Sequence, residues 1–201
     1  MYRRKDSFYR RAREAGLRSR AVFKLEEIAG RLLRRGDRVL DLGSWPGGWL
    51  QIASRRVGES GLVVGVDLHA VDRLPESNIR VLQGDLRDEE TRLRVRETLG
   101  GHADTVLSDM APKLTGVRAR DEAQAEELQR LALEMARDTL RDGGSLVCKA
   151  FMGSGYKPFV DEVKRSFARV RATRPASTRK GSSELYVVAT GFRGSGSPRS
   201  P

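Results

Sequence analysis

The stretch DLGSWPGGW, Asp41 to Trp49, decides the fold of this chain. It follows the apolar residues Val39 and Leu40 and leads into Leu50, Ile52 and Ala53. A buried strand that ends in a glycine-rich turn and passes into a helix is the opening unit of an α/β sheet, and such turns seat ligands. Dinucleotides, nucleoside triphosphates and methyl donors are all held this way, so the neighbouring residues must separate them.

The dinucleotide pattern G-x-G-x-x-G needs its second glycine for close backbone approach to a pyrophosphate. Aligned on Gly43, that position is Trp45 and the third is Gly48. A P-loop needs Lys and Ser/Thr after its last glycine, and here Trp49 and Leu50 follow Gly48. Nothing in the loop is cationic. Acids surround it instead: Asp41 closes the first strand, Asp67 the second, and Asp85 follows the third. In an open parallel sheet these positions meet in the crevice at the strands' C-terminal ends. Asp67 has the spacing to pair with ribose hydroxyls, and Asp85 to accept from an adenine amino group. A ligand with a ribose, an adenine and positive charge but no phosphate suits such a pocket, and S-adenosylmethionine is one. Each aspartate alone would be an ordinary turn or cap residue; three at successive strand ends favour the methyl donor.

Outward from this turn, strands alternate with helices. Apolar residues at helical spacing predict a helix over 18–35 ahead of it, ended by Gly36, and a second helix starts near Gly47. GLVVGVDL, NIRVLQGDL and ADTVLSDM are further strands, with a charged helix over 87–100 between the last two. A polar loop over 111–124 passes into a long helix, Asp121 to Arg141, closed by DGG. SLVCKAF, a helix over 156–167, and the strands ARVRATRP and SELYVVATGF complete the pattern. The alternation predicts an α/β fold with a parallel sheet and helices on both faces. The short, helix-free connection between the last two strands predicts an antiparallel partner at one edge.

A chain of 201 residues is one domain with a real core. The reading divides it into a basic N-terminal arm (1–16), a catalytic domain (17–192) and a disordered Ser/Gly/Pro tail (193–201). No apolar run nears the roughly 20 residues that cross a bilayer, so no membrane partner is expected. The N-terminus lacks the apolar centre of a secretory signal, and Asp6 and Glu14 argue against an organellar presequence. The expected compartment is the cytoplasm. One cysteine and two histidines exclude an internal disulfide and disfavour a zinc site; no metal is expected. Cys148 reads as a small apolar strand residue.

Lys and Arg number 38 against 27 Asp and Glu, a net charge of +11. Such an excess favours a polyanionic partner, although an arginine-rich composition contributes to it. Distribution is more telling. Arg3, Arg4, Lys5, Arg10, Arg11, Arg13, Arg18 and Arg20 crowd the first twenty residues, interleaved with Tyr2, Phe8 and Tyr9. Cations among stackable rings fit nucleic acid. Arg118, Arg120, Arg174, Arg179 and Lys180 fall in loops expected near the crevice, where they could grip phosphates.

SRAVFKLEEI, VLDLGSWPGGWLQ, VLSDMAPKLTG, LVCKAF and SSELYVVATGF together resemble the FtsJ-type ribose 2′-O-methyltransferases. The resemblance runs from about Asp6 to Phe192. It implies a Rossmann-like methyltransferase fold: a mostly parallel sheet of seven strands whose last strand is antiparallel. It implies S-adenosylmethionine as cofactor and methylation of a ribose in RNA, a uridine of bacterial 23S ribosomal RNA in the large subunit. Ribosomal RNA or the large ribosomal subunit is then the partner, and nothing demands more than a monomer.

The resemblance further implies a Lys-Asp-Lys-Glu tetrad, here Lys24, Asp109, Lys149 and Glu184, and cofactor contacts at Gly47, Trp49, Asp67, Asp85 and Asp109. Trp45 departs from the small residue usual in the family. The chemistry fits: a ribose hydroxyl is a poor nucleophile and needs a base as it attacks. Lys149 is expected to be that base, with Lys24 supporting the developing alkoxide. Asp109 orients Lys149 and borders the donor, and Glu184 positions the lysines or the ribose. Transfer RNA and messenger RNA caps stand as alternative substrates. A non-catalytic RNA-binding assembly factor and a nicotinamide-dependent oxidoreductase are the rival classes; the complete tetrad opposes the first and Trp45 the second.

Overall fold

The computed structural model describes residues 7–19, 21–178 and 182–194. Its centre is a seven-stranded sheet, ordered β3-β2-β1-β4-β5-β7-β6. The strands are β1 (Arg38–Leu42), β2 (Leu62–Asp67), β3 (Ile79–Gln83), β4 (Ala103–Ser108), β5 (Leu140–Phe151), β6 (Phe167–Thr173) and β7 (Glu184–Phe192). β1 to β5 pair in parallel. β7 runs antiparallel to both of its neighbours, β5 and β6. The seven strands and the reversed last strand match the expected Rossmann-like architecture.

Helices cover both faces, and strand periodicity assigns them. Val39, Val63, Leu107, Val147 and Val188 point to one side. There they meet α2 (Val22–Ala29) and α3 (Gly48–Val57) through Leu25, Ile28, Trp49 and Ile52. Their neighbours Leu40, Val64, Val106, Leu146 and Val187 point to the other side. They pack on α4 (Glu89–Leu99), α5 (Arg118–Thr139) and α6 (Tyr156–Ser166) through Val95, Leu133, Met135 and Phe159. Because side chains alternate along a strand, Asp41, Lys149, Glu184 and Tyr186 all fall on the α2–α3 side. That face builds the site.

Four expectations need correction. The first helix does not fill 18–35: α2 ends at Ala29, and Leu32 and Leu33 hydrogen-bond back to Ala29 O in a turn instead. Gly30 weakens the helix there, while Leu33 still reaches the core. The polar loop over 111–124 is shorter than expected, since α5 starts at Arg118. Asp121 explains this: its carboxylate accepts from Thr115 N, Thr115 Oγ1 and Gly116 N at 2.7–3.1 Å, pinning the preceding turn. DGG does not close the long helix in a loop, because β5 already begins at Leu140 and takes an irregular register through it. Finally, the antiparallel strand is not at the edge: β7 inserts between β5 and β6. The nine-residue β7 brings Leu185, Val187 and Ala189 to one core and Tyr186 and Val188 to the other, so it is buried on both faces. The arginine-rich β6 takes the edge.

Within the N-terminal arm, Ser7–Glu14 forms a helix, α1. Tyr2, Arg3, Arg4, Lys5, Arg20, Arg179, Lys180, the side chains of Phe8, Tyr9 and Arg13, and the tail from 195 onward lie outside the described residues.

Candidate active site

The C-terminal ends of β1, β2 and β4 open onto a cavity of about 430 Å³ lined by Gly43, Trp45, Asp67, Asp85, Asp109 and Met110, among others. Gly43 has φ +77°, and a β-carbon there would lie 2.7 Å from Met110 Cγ, so only glycine lets these two walls approach. Trp45 stands at the rim, 56% exposed, tilted against His69 with ring centroids 5.8 Å apart. Asp67 fixes this rim. One carboxylate oxygen accepts from Trp45 N at 2.9 Å and the other from His69 N at 2.8 Å. Each oxygen keeps a lone pair for a ligand. Asp85 is turned by Arg87, whose backbone N–H donates at 3.0 Å and whose guanidinium lies 3.5 Å away.

Gly47 and Trp49 do not line this cavity with side chains. Gly47 caps α3 with φ +109°, and a β-carbon there would press on Arg18 and Val71. Trp49 is 4% exposed, and its indole N–H donates to Ala21 O at 2.8 Å. Neither position is among the residues that line the cavity; both stand at the N-terminus of α3, whose first N–H groups have no intrahelical acceptor.

Asp41 lies on β1, two residues before the cavity-lining Gly43. It is wholly buried, and neither carboxylate oxygen has a partner among the described residues. Burial first, then the charges of Asp109 and Asp67, hold its carboxyl well above the usual aspartate range. Three carboxylates therefore converge where β1, β2 and β4 end, and a positive charge in the cavity would relieve their repulsion. The residues fit a cationic ligand.

The lysines and carboxylates expected to act together do meet. Lys149, from β5, places Nζ 2.7 Å from Asp109 Oδ1, 3.0 Å from Asp109 O and 3.8 Å from Glu184 Oε2. Lys24, from α2, bonds Glu184 Oε1. Glu184 starts β7 opposite Phe151, the last residue of β5, which sets its carboxylate between the two ammonium groups. All four side chains are at least four-fifths buried. Since Asp109 also lines the cavity, the cluster and the cavity are contiguous.

Tyr186 belongs to this cluster and was not singled out in the sequence. It faces Lys149 across the β5–β7 pair. Its hydroxyl donates to Asp109 Oδ1 at 2.6 Å and accepts from Lys24 Nζ at 3.4 Å. Burial, then the charges of Asp109 and Glu184, push its phenol up, so it stays protonated and serves as that donor. The available signal was period two: Tyr186 shares a strand face with Glu184. The neighbouring Cys148 points away into the other core, its thiol pushed up to about 12 by burial, consistent with an inert strand residue.

Several arginines expected to bind nucleic acid have other work. The Arg18 guanidinium donates to Pro46 O at 3.2 Å and to Asp72 O and Arg73 O at 2.7 Å, clamping the glycine loop. Arg11 lies over the Phe23 ring at 4.8 Å. Arg118 pairs with Glu122 at 2.8 Å. Arg10, Arg120 and Arg174 are exposed. No helix among the described residues is long and apolar enough to cross a membrane.

Residues 17–192 match the family described as FtsJ-like methyltransferase. Ribosomal RNA large subunit methyltransferase E of Methanothermobacter thermautotrophicus is 41% identical over 194 residues, 96% of this chain and 92% of that one. The protein of the same name from Granulibacter bethesdensis is 46% identical over 193 residues, 95% and 82% of the two chains. Among solved structures, one described as a ribosomal RNA methyltransferase from Plasmodium falciparum superposes with a TM-score of 0.75 at 26% identity, covering 88% of this chain and 99% of that one. Fibrillarin from Aeropyrum pernix, solved with S-adenosyl-L-methionine, shares the fold at a TM-score of 0.60 and 18% identity, over 85% and 73% of the two chains.

Proposed function

This chain belongs to the FtsJ-like methyltransferase family, and on that premise we propose that it methylates the 2′-hydroxyl of a ribose, that of a uridine, in large-subunit ribosomal RNA, acting as a cytoplasmic monomer. It is an S-adenosylmethionine-dependent RNA methyltransferase. The observation that carries the ribose reading is the buried pair of lysines, bridged by Glu184 and bordered by Asp109, beside an acid-lined cavity. A pure binding module has no use for two buried ammonium groups, whose desolvation is costly.

Asp67, Asp85 and Asp109 would hold the donor with their carboxylates, and Gly47 and Trp49 with backbone. Bound S-adenosylmethionine supplies a methyl carbon on a cationic sulfur, which departs as a neutral thioether. The chain's own residues act on the acceptor. Lys149 Nζ takes the proton of the ribose hydroxyl as the oxygen attacks, so it must be uncharged at that moment. Asp109, holding Nζ through both its backbone and its side-chain oxygen, fixes where the lone pair points. Lys24 remains charged against Glu184 and lowers the energy of the developing alkoxide. Tyr186 keeps Asp109 turned towards Lys149 and is a positioning residue.

Asp41 makes donor binding depend on pH. In the folded chain it holds its proton more tightly than in the unfolded chain, so stability falls as pH rises across the window above the ordinary aspartate range. A cationic donor favours the ionised carboxylate and displaces the proton. Donor affinity should therefore rise with pH across that window, more steeply for S-adenosylmethionine than for S-adenosylhomocysteine. Calorimetric titration at several pH values should show the slope, and Asp41→Asn should flatten it; an unchanged slope in the variant would remove Asp41 from donor binding.

Ligand-dependent melting offers a simpler check. S-adenosylmethionine and S-adenosylhomocysteine at a hundred times their dissociation constants should stabilise the fold by about 2.7 kcal/mol, while NAD should leave the melting temperature unchanged. Stabilisation by NAD alone would contradict the cofactor assignment. For the substrate, labelled donor should mark isolated large subunits or their free RNA; label entering only transfer RNA or capped messenger RNA would redirect the reading.

A further inference from the structure

A second cavity, of about 400 Å³, lies on the other side of the loop that follows β4. Asp109, Met110 and Ala111 line the donor cavity, whereas Pro112, Leu114 and Gly116 line this one. The loop is thus a partition. The opposite wall is formed by Phe151, Met152 and Ser183. Phe151 pairs in register with Glu184, and Met152 N donates to Ser183 O at 3.0 Å, so this wall is the direct continuation of the catalytic cluster.

From these surroundings we infer that the cavity seats the base of the nucleotide whose ribose is methylated, an inference that rests on the ribose 2′-O reading. A base hangs from C1′, the carbon beside the one that carries the reacting hydroxyl. Its seat must therefore lie within a sugar's width of Lys149 and Glu184, on the side away from the donor. This cavity combines that position with a base-like chemistry. Leu114 and Met152 are 75% and 54% exposed, large apolar side chains left uncovered across the opening. Bases splayed out of an RNA strand are held in this way, between apolar or aromatic faces. Among the described residues the wall does not favour phosphate: its acids are Asp121 and Glu122, and its one described cation, Arg118, is already paired with Glu122. The seat is also preformed, because Asp121 ties down Thr115 and Gly116 through three hydrogen bonds. Ser183 and Glu122 supply polar groups for the edge of a base.

Photo-crosslinking separates this inference from the one beneath it. Large-subunit RNA containing 4-thiouridine is irradiated with the full-length protein, and the attached residues are identified by mass spectrometry. Crosslinks are expected at Leu114, Phe151 or Met152. In the double variant Leu114→Asp/Met152→Asp they should fall roughly ten- to hundredfold, the scale of losing the burial of one large apolar side chain. Leu114→Asp alone, at a solvent-exposed position, should give a smaller fall in the same direction, and unchanged S-adenosylhomocysteine binding shows that both variants are folded. Crosslinks confined to other surfaces, or undiminished in the variants, overturn the base seat. Crosslinks at the seat while the RNA gains no ribose methyl group anywhere overturn the 2′-O reaction and leave the seat standing; crosslinks there to one uridine while another is methylated overturn the seat.

Discussion

Lys149→Ala should lower methyl transfer by at least about 10³-fold, within the range a positioned general base contributes, while S-adenosylhomocysteine binds within about twofold of the unaltered protein. Among the described residues, Lys149 Nζ is the one ammonium that touches Asp109 through two oxygens and also approaches Glu184. It stands near the end of β5, on the sheet face that α2 covers, where the acid-lined cavity and the lysine–carboxylate cluster share Asp109. Removing it takes away the proposed proton acceptor and leaves Asp67, Asp85 and the glycine loop untouched. Single-turnover rates with saturating RNA isolate the chemical step. Lys149→Arg restores the charge but not a base, since a guanidinium does not deprotonate in a protein, and should be as inactive as Lys149→Ala. Substantial activity in Lys149→Arg would mean that charge alone, not proton transfer, is what the position supplies.

The second large effect is expected at Asp109. Its Oδ1 accepts from both Lys149 and Tyr186, and its side chain is mostly buried. Asp109→Asn keeps the shape and one acceptor but removes the charge opposing Lys149, leaving Glu184 at 3.8 Å as the nearest carboxylate. Breaking a buried ion pair from one side costs about 3–5 kcal/mol. The partial exposure of Asp109 places the expected loss near the lower end, measurable by urea unfolding. Methyl transfer should fall by about 10²-fold or more, because the lysine loses its orientation along with its partner. Near-normal stability together with near-normal turnover would show that Tyr186 and Glu184 suffice to hold Lys149.

Much of this site is legible in the sequence, for physical reasons. Lys149 stands out because an ammonium inside LVCKAF is expensive unless it has partners. Asp67 and Asp85 are marked by their places after apolar strands, and the strand-end rule brings them to one crevice. Period-two alternation carries Lys149 and Glu184 to one face. What alternation does not give is which strands are neighbours: that β7 slots between β5 and β6, and not at the edge, follows from its being apolar on both faces. Tyr186 was missed for the same reason, since its importance arises only when β7 lies beside β5 and its hydroxyl meets Asp109. Trp49 shows the opposite error of emphasis. Its place in the glycine loop points to the ligand, but the indole turns inward to Ala21 and the core. Arg18 likewise reads as a phosphate contact, while its guanidinium is spent on three backbone carbonyls that shape the loop.

The most direct measurement is nucleoside analysis of large-subunit ribosomal RNA after incubation with methyl-labelled S-adenosylmethionine and this protein, with Lys149→Ala in parallel. The label should sit on the 2′-oxygen of a uridine ribose and be absent from the Lys149→Ala reaction. Label on a base, or equal labelling by the variant, would contradict the assignment of the lysine–carboxylate cluster to ribose methylation.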